Sequence, residues 1–151
     1  MLPIKKIIYP TDFSEPSYKA LKAANELAMY FSAELILVHV LSPIPLLPAA
    51  PEAPLTEGIA SVLDDMEEIA EKSLMMISKE KISDGVTLRS VLSKGNPPDE
   101  IVKIADDEKA DLIIIGTHGF TGWRHLILGS VAEKVVRLSS CPVLTIPAHE
   151  E

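Results

Sequence analysis

The sequence predicts an α/β protein in which five parallel strands form an open sheet with helices on both faces. Short runs rich in Ile, Val and Leu alternate along the chain with longer segments whose apolar residues recur at helical spacing, in the order β-α-β-α-β-α-β-α-β. Two of the runs, "ELILVHVL" at 34–41 and "DLIIIG" at 111–116, are almost uniformly apolar, as a strand is when helices cover both its faces. Parallel strands joined through helices need right-handed crossovers, which fold the alternation into one sheet.

Taken in order, "IKKIIYP" at 4–10 is short, Ile-rich and stopped by Pro10, hence a first strand. Ser14 is positioned to cap the next helix, where Pro16 costs little because first-turn N–H groups have no intrahelical partner. Ala20, Leu21, Ala24, Leu27, Ala28 and Phe31 make that helix's apolar face, and 34–41 is the second strand. Five of the chain's twelve prolines then fall between residues 43 and 54, a density that forbids helix and sheet and predicts an extended insertion at about 43–58. A long amphipathic helix follows, with Ile59, Val62, Leu63, Met66, Ile69, Ala70 and Ile77 on one face, ending near "SDG" at 83–85. "VTLRSVL" at 86–92 is the third strand, and its alternating Thr87 and Arg89 predict one face partly open to water. "NPPDEIVKIADDEKA" at 96–110 is a helix, "DLIIIG" an interior strand, about Ile127 to Leu138 the last helix, and "CPVLTIP" at 141–147 the fifth strand.

At 151 residues the chain is expected to be a single domain, 1–151, with an ordinary hydrophobic core. Its net charge of -8, with no dense Lys/Arg cluster, argues against nucleic-acid partners, which need a basic surface. Cys141 is the only cysteine, which excludes an intramolecular disulfide and favours a reducing compartment. The start of the chain lacks the basic and apolar regions of a secretory signal, and no window approaches the roughly 18 apolar residues of a membrane span, so the expected location is cytoplasmic.

The stretch that carries chemistry is "GTHGFTGWRHLILGSV", residues 116–131. In open parallel sheets, ligands bind beyond the carboxyl ends of the strands where the strand order reverses, and Gly116 lies at such an end. Glycines there and at Gly119 and Gly122 allow sharp turns and close backbone approach, while Gly129 and Ser130 open a helix whose free N–H groups and dipole favour an anion. Together they predict a phosphate cradle. Neither G-x-G-x-x-G nor G-x-x-x-x-G-K-[ST] is present; the spacing is Gly116-x2-Gly119-x9-Gly129-Ser130, which a long turn alone would also satisfy.

With that spacing, the sequence resembles the universal stress protein family, specifically its nucleotide-binding branch, whose pattern is G-x2-G-x9-G-[ST]. "YPTDFS" at 9–14 resembles the family's first strand and loop, and "LVHV" at 37–40 its second strand end. "GNPPDEIVKIADDEKADLIIIGTHG" resembles the segment leading into the signature, and "GSVAEKVVRLSSCPVLTIP" the family's C-terminus. The resemblance covers nearly the whole chain except the proline-rich insertion. It implies an adenine nucleotide alpha hydrolase-like sheet of order 3-2-1-4-5 and a homodimer through the last strand, Val143 to Ile146. It implies ATP as the ligand, with Pro10, Thr11 and Asp12 beside the adenosine and Val40 in the adenine pocket. Gly116, Thr117 and His118 then lie under the ribose and phosphates, and Gly119, Gly129, Ser130 and Val131 hold the phosphates mostly through backbone N–H groups. At position 132 this chain has Ala where some members have a hydroxyl, leaving only the Ala132 amide, so AMP and ADP stay open beside ATP. Mg2+ bridging the phosphates fits this picture, since it keeps several waters and few protein ligands.

Several residues have a plainer reading. Asp12 fits a cap on the following helix, and His118 and His125 fit loop packing or ligand contact rather than catalysis. Arg124 fits a solvated loop charge as well as a reach to a terminal phosphate, and Trp123 fits a gap-filler as well as a cover over the ligand. His39 fits a satisfied strand-end histidine, and Met66, Met75 and Met76 fit core or interface. The function expected is a cytoplasmic, nucleotide-dependent stress-response or regulatory module with an unidentified protein partner. Alternatives are a slow ATPase on the same scaffold, which lacks a P-loop lysine and an evident base, or a dimeric module that binds no nucleotide.

Overall fold

The computed structural model describes residues 2–43, 56–117 and 128–148. Among the described residues, five strands, β1 (Lys6–Pro10), β2 (Glu34–Leu41), β3 (Leu88–Lys94), β4 (Leu112–Gly116) and β5 (Val143–Ile146), alternate with four helices, α1 (Glu15–Phe31), α2 (Thr56–Glu80), α3 (Pro97–Glu108) and α4 (Ser130–Leu138). Every strand pair is parallel, and the order is β3-β2-β1-β4-β5, as expected.

The period of two along each strand feeds two separate cores. Ile7, Tyr9, Leu35, Leu37, Leu112 and Ile114 turn to one face, where Ala20, Leu21, Ala24 and Ala28 of α1 and Leu74 and Ile77 of α2 cover them. Ile8, Ile36, Val38, Ile113 and Ile115 turn to the other, against Ile101 and Ala105 of α3 and Ala132 and Val135 of α4. The segregation follows from handedness: β1 to β2 to β3 steps one way across the sheet and β3 to β4 to β5 returns the other way. Right-handed crossovers in opposite directions must lie on opposite faces. Each fully buried Ile or Leu contributes about 2 kcal/mol, so both layers clamp the interior strands and keep their ends in fixed positions.

Several boundaries depart from the expectation. β3 begins at Leu88 because the Val86 N–H is engaged in a turn with the Ser83 carbonyl. α4 begins at Ser130, with Gly129 as its N-cap. α2 begins at Thr56, inside the span expected for the insertion, whose residues 44–55 lie outside the described chain. Of the apolar face read for α2, only Ala70 and Ile77, with Leu74, are buried, whereas Val62, Leu63, Met66, Ile69, Met75 and Met76 are exposed. Length explains part of this: a 25-residue helix runs to about 37 Å, while the neighbouring strands of 7 and 8 residues reach only about 27 Å.

At the amino edge of the sheet, Arg89 of β3 binds Glu108 at the end of α3 through both terminal nitrogens (2.9 and 2.6 Å) and Glu34 of β2 at 3.1 Å, while Lys6 of β1 reaches Glu108 at 3.2 Å. Arg89 first, then Lys6, holds the Glu108 carboxyl at about 2, well below the ordinary 4.5. A folded value below the unfolded one means that the stabilisation is present above about pH 4.5 and lost as pH falls through 2. Because the network is part-exposed, it contributes about 1 kcal/mol. Glu108→Gln is expected to lower Tm by about 2–4 °C at pH 7 and to flatten the acid dependence between pH 4.5 and 2. Thermal melts that superimpose on those of the unaltered protein at both pH values would discard this account.

Candidate functional site

The strand order reverses between β1 and β4, so their carboxyl ends diverge from the following chain and open a crevice. A cavity of about 450 Å3 lies there. Pro10, Thr11 and Asp12 enter from the end of β1, Val40 from β2, Gly116 and Thr117 from β4, and Gly129, Ser130, Val131 and Ala132 from the start of α4. Residues far apart in the sequence thus line one space. His118 and Gly119, with Gly122, Trp123, Arg124 and His125, lie outside the described residues.

The first turn of α4 supplies the positive end. Gly129 has extended geometry (φ -68°, ψ 160°), and its carbonyl accepts the Glu133 N–H at 2.9 Å, the first bond of the helix. The N–H groups of Ser130, Val131 and Ala132 hydrogen-bond to nothing among the described residues. Three parallel donors and a partial charge of about +0.5 therefore meet the cavity, which is the arrangement that binds an anion. Ala132 packs its methyl into the core and offers only its amide. Gly129 serves differently from the expectation: its own N–H donates to the Thr117 carbonyl, so it does not present that donor to a ligand but lines the cavity with a bare Cα.

The loop from β1 to α1 is densely bonded. The Thr11 N–H donates to the Val38 carbonyl (2.8 Å), and Thr11 Oγ1 accepts the Phe13 N–H (3.0 Å) and shares a hydrogen bond with Ser17 Oγ (3.1 Å). Tyr9, fully buried beneath, donates from its hydroxyl to the Ser17 carbonyl at 2.7 Å; burial pushes its pKa up to about 12, which keeps it a neutral donor. Ser14 occupies the N-cap of α1, yet its side chain makes no cap bond. Instead, Asp12 Oδ1 accepts both the Ser14 N–H (3.0 Å) and the Ser14 hydroxyl, while Oδ2 has no hydrogen-bond partner among the described residues. Asp12 therefore bonds the N-cap residue and no first-turn N–H of α1, so the capping role expected as its plainer reading is not what it does, and the half-buried residue lines the cavity.

Other lining residues are not among those the sequence assigns to the site; His39 and Met66 carry only structural readings there. Pro97 and Ile101 of α3, Ile115 and Leu41 build an apolar wall, Met66 of α2 reaches it, and His39 and Ser17 line it near the loop. The rule that flags strand carboxyl ends also covers the first turn after β3, so Pro97 and Ile101 were legible by it. Met66 was not, because nothing local marks which turn of a long helix passes a crevice. Among the described residues no three His, Cys, Asp or Glu side chains group so as to hold a metal ion, and no helix is long and apolar enough to cross a membrane.

Known proteins share this sequence pattern and this fold. The model of the universal stress protein family matches residues 3–147. Universal stress protein MJ0531 of Methanocaldococcus jannaschii is 38% identical over 145 residues, covering 94% of this chain and 81% of the relative. MJ0577 of the same organism is 36% identical over 94% of both chains, and its solved structure superimposes with a TM-score of 0.83 over 98% of this chain and 99% of that one. A universal stress protein solved in complex with cAMP is 25% identical, with a TM-score of 0.61 over 97% of this chain and 99% of its own.

Proposed function

We propose, since this chain belongs to the universal stress protein family, that it works as a stress-response module regulated by an adenine nucleotide, with ATP as the ligand. The observation that carries the reading is the conjunction, in one cavity, of the three unbonded N–H groups of Ser130, Val131 and Ala132 with an apolar wall and the Asp12 carboxylate. The phosphates lie against the α4 N-terminus; Ser130 adds a hydroxyl; Val40, Ile101 and Ile115 flank the purine; Asp12 accepts a hydrogen bond from the nucleoside. The relative crystallised with cAMP supports an adenine nucleotide rather than another anion. With Ala132 in place of a hydroxyl, AMP and ADP remain competitors. Mg2+ would take its coordination from phosphate oxygens and water.

Two chains pair through β5, which is the open edge of the sheet. The bound state is read by a protein partner in a reducing, cytoplasmic compartment. Hydrolysis is expected to be slow, because among the described residues no Lys or Arg lines the cavity to neutralise a transferring phosphoryl group. The test is to denature freshly purified protein, identify released nucleotides by chromatography, and titrate stripped protein with ATP and AMP by calorimetry in the presence of Mg2+. Released adenine nucleotide and saturable heat with ATP, without measurable turnover, are the expected results. The absence of both released nucleotide and binding heat would remove the nucleotide from the reading.

A further inference from the structure

We propose that Phe13 and His39 are positioning residues, a stacked pair that holds the Asp12 carboxylate at the cavity; this rests on the nucleotide reading above. Phe13 adopts φ 63°, in the left-handed region. That conformation is uncommon for a bulky side chain and easy for Gly or Asn. A residue chosen for this backbone would therefore not be Phe. What Phe brings is its ring, which lies 4.3 Å from the His39 imidazole with the planes tilted by 30°.

The imidazole is itself pinned. His39 Nδ1 lies 2.7 Å from the Thr11 carbonyl oxygen, and a carbonyl only accepts, so Nδ1 carries the proton and the ring is held by its edge from Thr11 and by its face from Phe13. The loop returns the contact: the Phe13 N–H donates to Thr11 Oγ1 and the Ser14 N–H to Asp12 Oδ1. His39 and Asp12 line the same cavity. The left-handed turn at Phe13 is what brings the Ser14 N–H back onto Asp12, and the ring on His39 is what keeps that turn. Strained backbone held by its surroundings recurs at binding sites, and here the surroundings are a cavity-lining histidine.

The test separates ring from backbone. Phe13→Asn keeps a residue that tolerates the left-handed turn but removes the ring, whereas Phe13→Tyr keeps the ring. Expected are a loss of ATP affinity of about tenfold for Phe13→Asn and less than about twofold for Phe13→Tyr, with Tm unchanged in Phe13→Tyr and lowered by a few degrees at most in Phe13→Asn, since the ring also packs against the core beneath α1. In an Asp12→Asn background, Phe13→Asn is expected to cause no further loss, because it acts through that carboxylate. Full ATP affinity in Phe13→Asn, or a loss that persists undiminished without the Asp12 carboxylate, overturns the proposal. If the unaltered protein binds no adenine nucleotide, the function proposed above fails, and the brace is decided in the free protein by hydrogen exchange at the Ser14 amide. Faster exchange in Phe13→Asn upholds the brace, and unchanged exchange overturns it.

Discussion

Gly129→Val is expected to weaken ATP binding by at least about a hundredfold, some 2.7 kcal/mol, while leaving the fold intact. The backbone at Gly129 has φ -68° and ψ 160°, which any residue adopts, so the substitution introduces no dihedral strain. Its N–H can keep the bond to the Thr117 carbonyl, and its carbonyl the bond to the Glu133 N–H. The change falls on the cavity. A branched side chain added at the N-cap falls on the cavity lined by Ser130, Val131 and Ala132, the proposed phosphate site. Hydrogen bonds to a charged group are worth about 1.5–3 kcal/mol each, so displacing an anion from even two of these donors accounts for the predicted loss. Ser130→Ala is the informative contrast: it removes a hydroxyl and keeps the N–H, and is expected to cost less than about tenfold. Calorimetry and melting curves on the two variants decide it. If Gly129→Val bound ATP normally with an unchanged melt, the α4 N-terminus would not be the phosphate site.

How far the sequence foretold this arrangement depends on whether the signal is local. β2 and β4 announce themselves because both their faces are covered and their residues are aliphatic throughout, and the same packing sets their place inside the sheet. The Gly129-Ser130 pair marks the start of α4 for an equally local reason, that an N-cap needs no side chain which would block an anion. Non-local features were not legible. Among the described glycines only Gly95 has a positive φ; the left-handed positions fall instead on Phe13, Ser32 and Lys109, where no glycine flags them. Ser32 and Lys109 sit at the helix C-caps of α1 and α3 and return their N–H groups to helix carbonyls, an ordinary ending written in unexpected residues. Phe13 is understandable only once His39, 26 positions away, is seen stacked on it. Likewise the apolar stripe of α2 repeats at helical spacing for its whole length, although the sheet is too short to cover all of it.

Thr145→Pro is expected to convert the protein from dimer to monomer without loss of nucleotide binding. The direction of each backbone group on β5 follows from its pairing with β4. The Ile113 N–H donates to the Pro142 carbonyl and the Thr117 N–H to the Ile146 carbonyl, so by the two-residue alternation of a strand the backbone of residues 142, 144 and 146 faces β4. The N–H and C=O groups of Val143 and Thr145 therefore point to the open edge. In the proposed dimer, two copies related by a two-fold axis would pair Val143 of one with Thr145 of the other, in about four hydrogen bonds. Proline at 145 removes one of these donors from each copy and places its ring where the partner strand must come. It leaves the bonds to β4 untouched, which is the setting in which an edge strand tolerates proline. Light scattering on the purified variant is the direct measurement, with ATP titration alongside it. A monomer that still binds ATP would assign the dimer to β5 and show that each chain holds its own site. A dimer that survives the proline would move the contact elsewhere, and the exposed Val62, Leu63 and Ile69 on α2 form the next surface to alter.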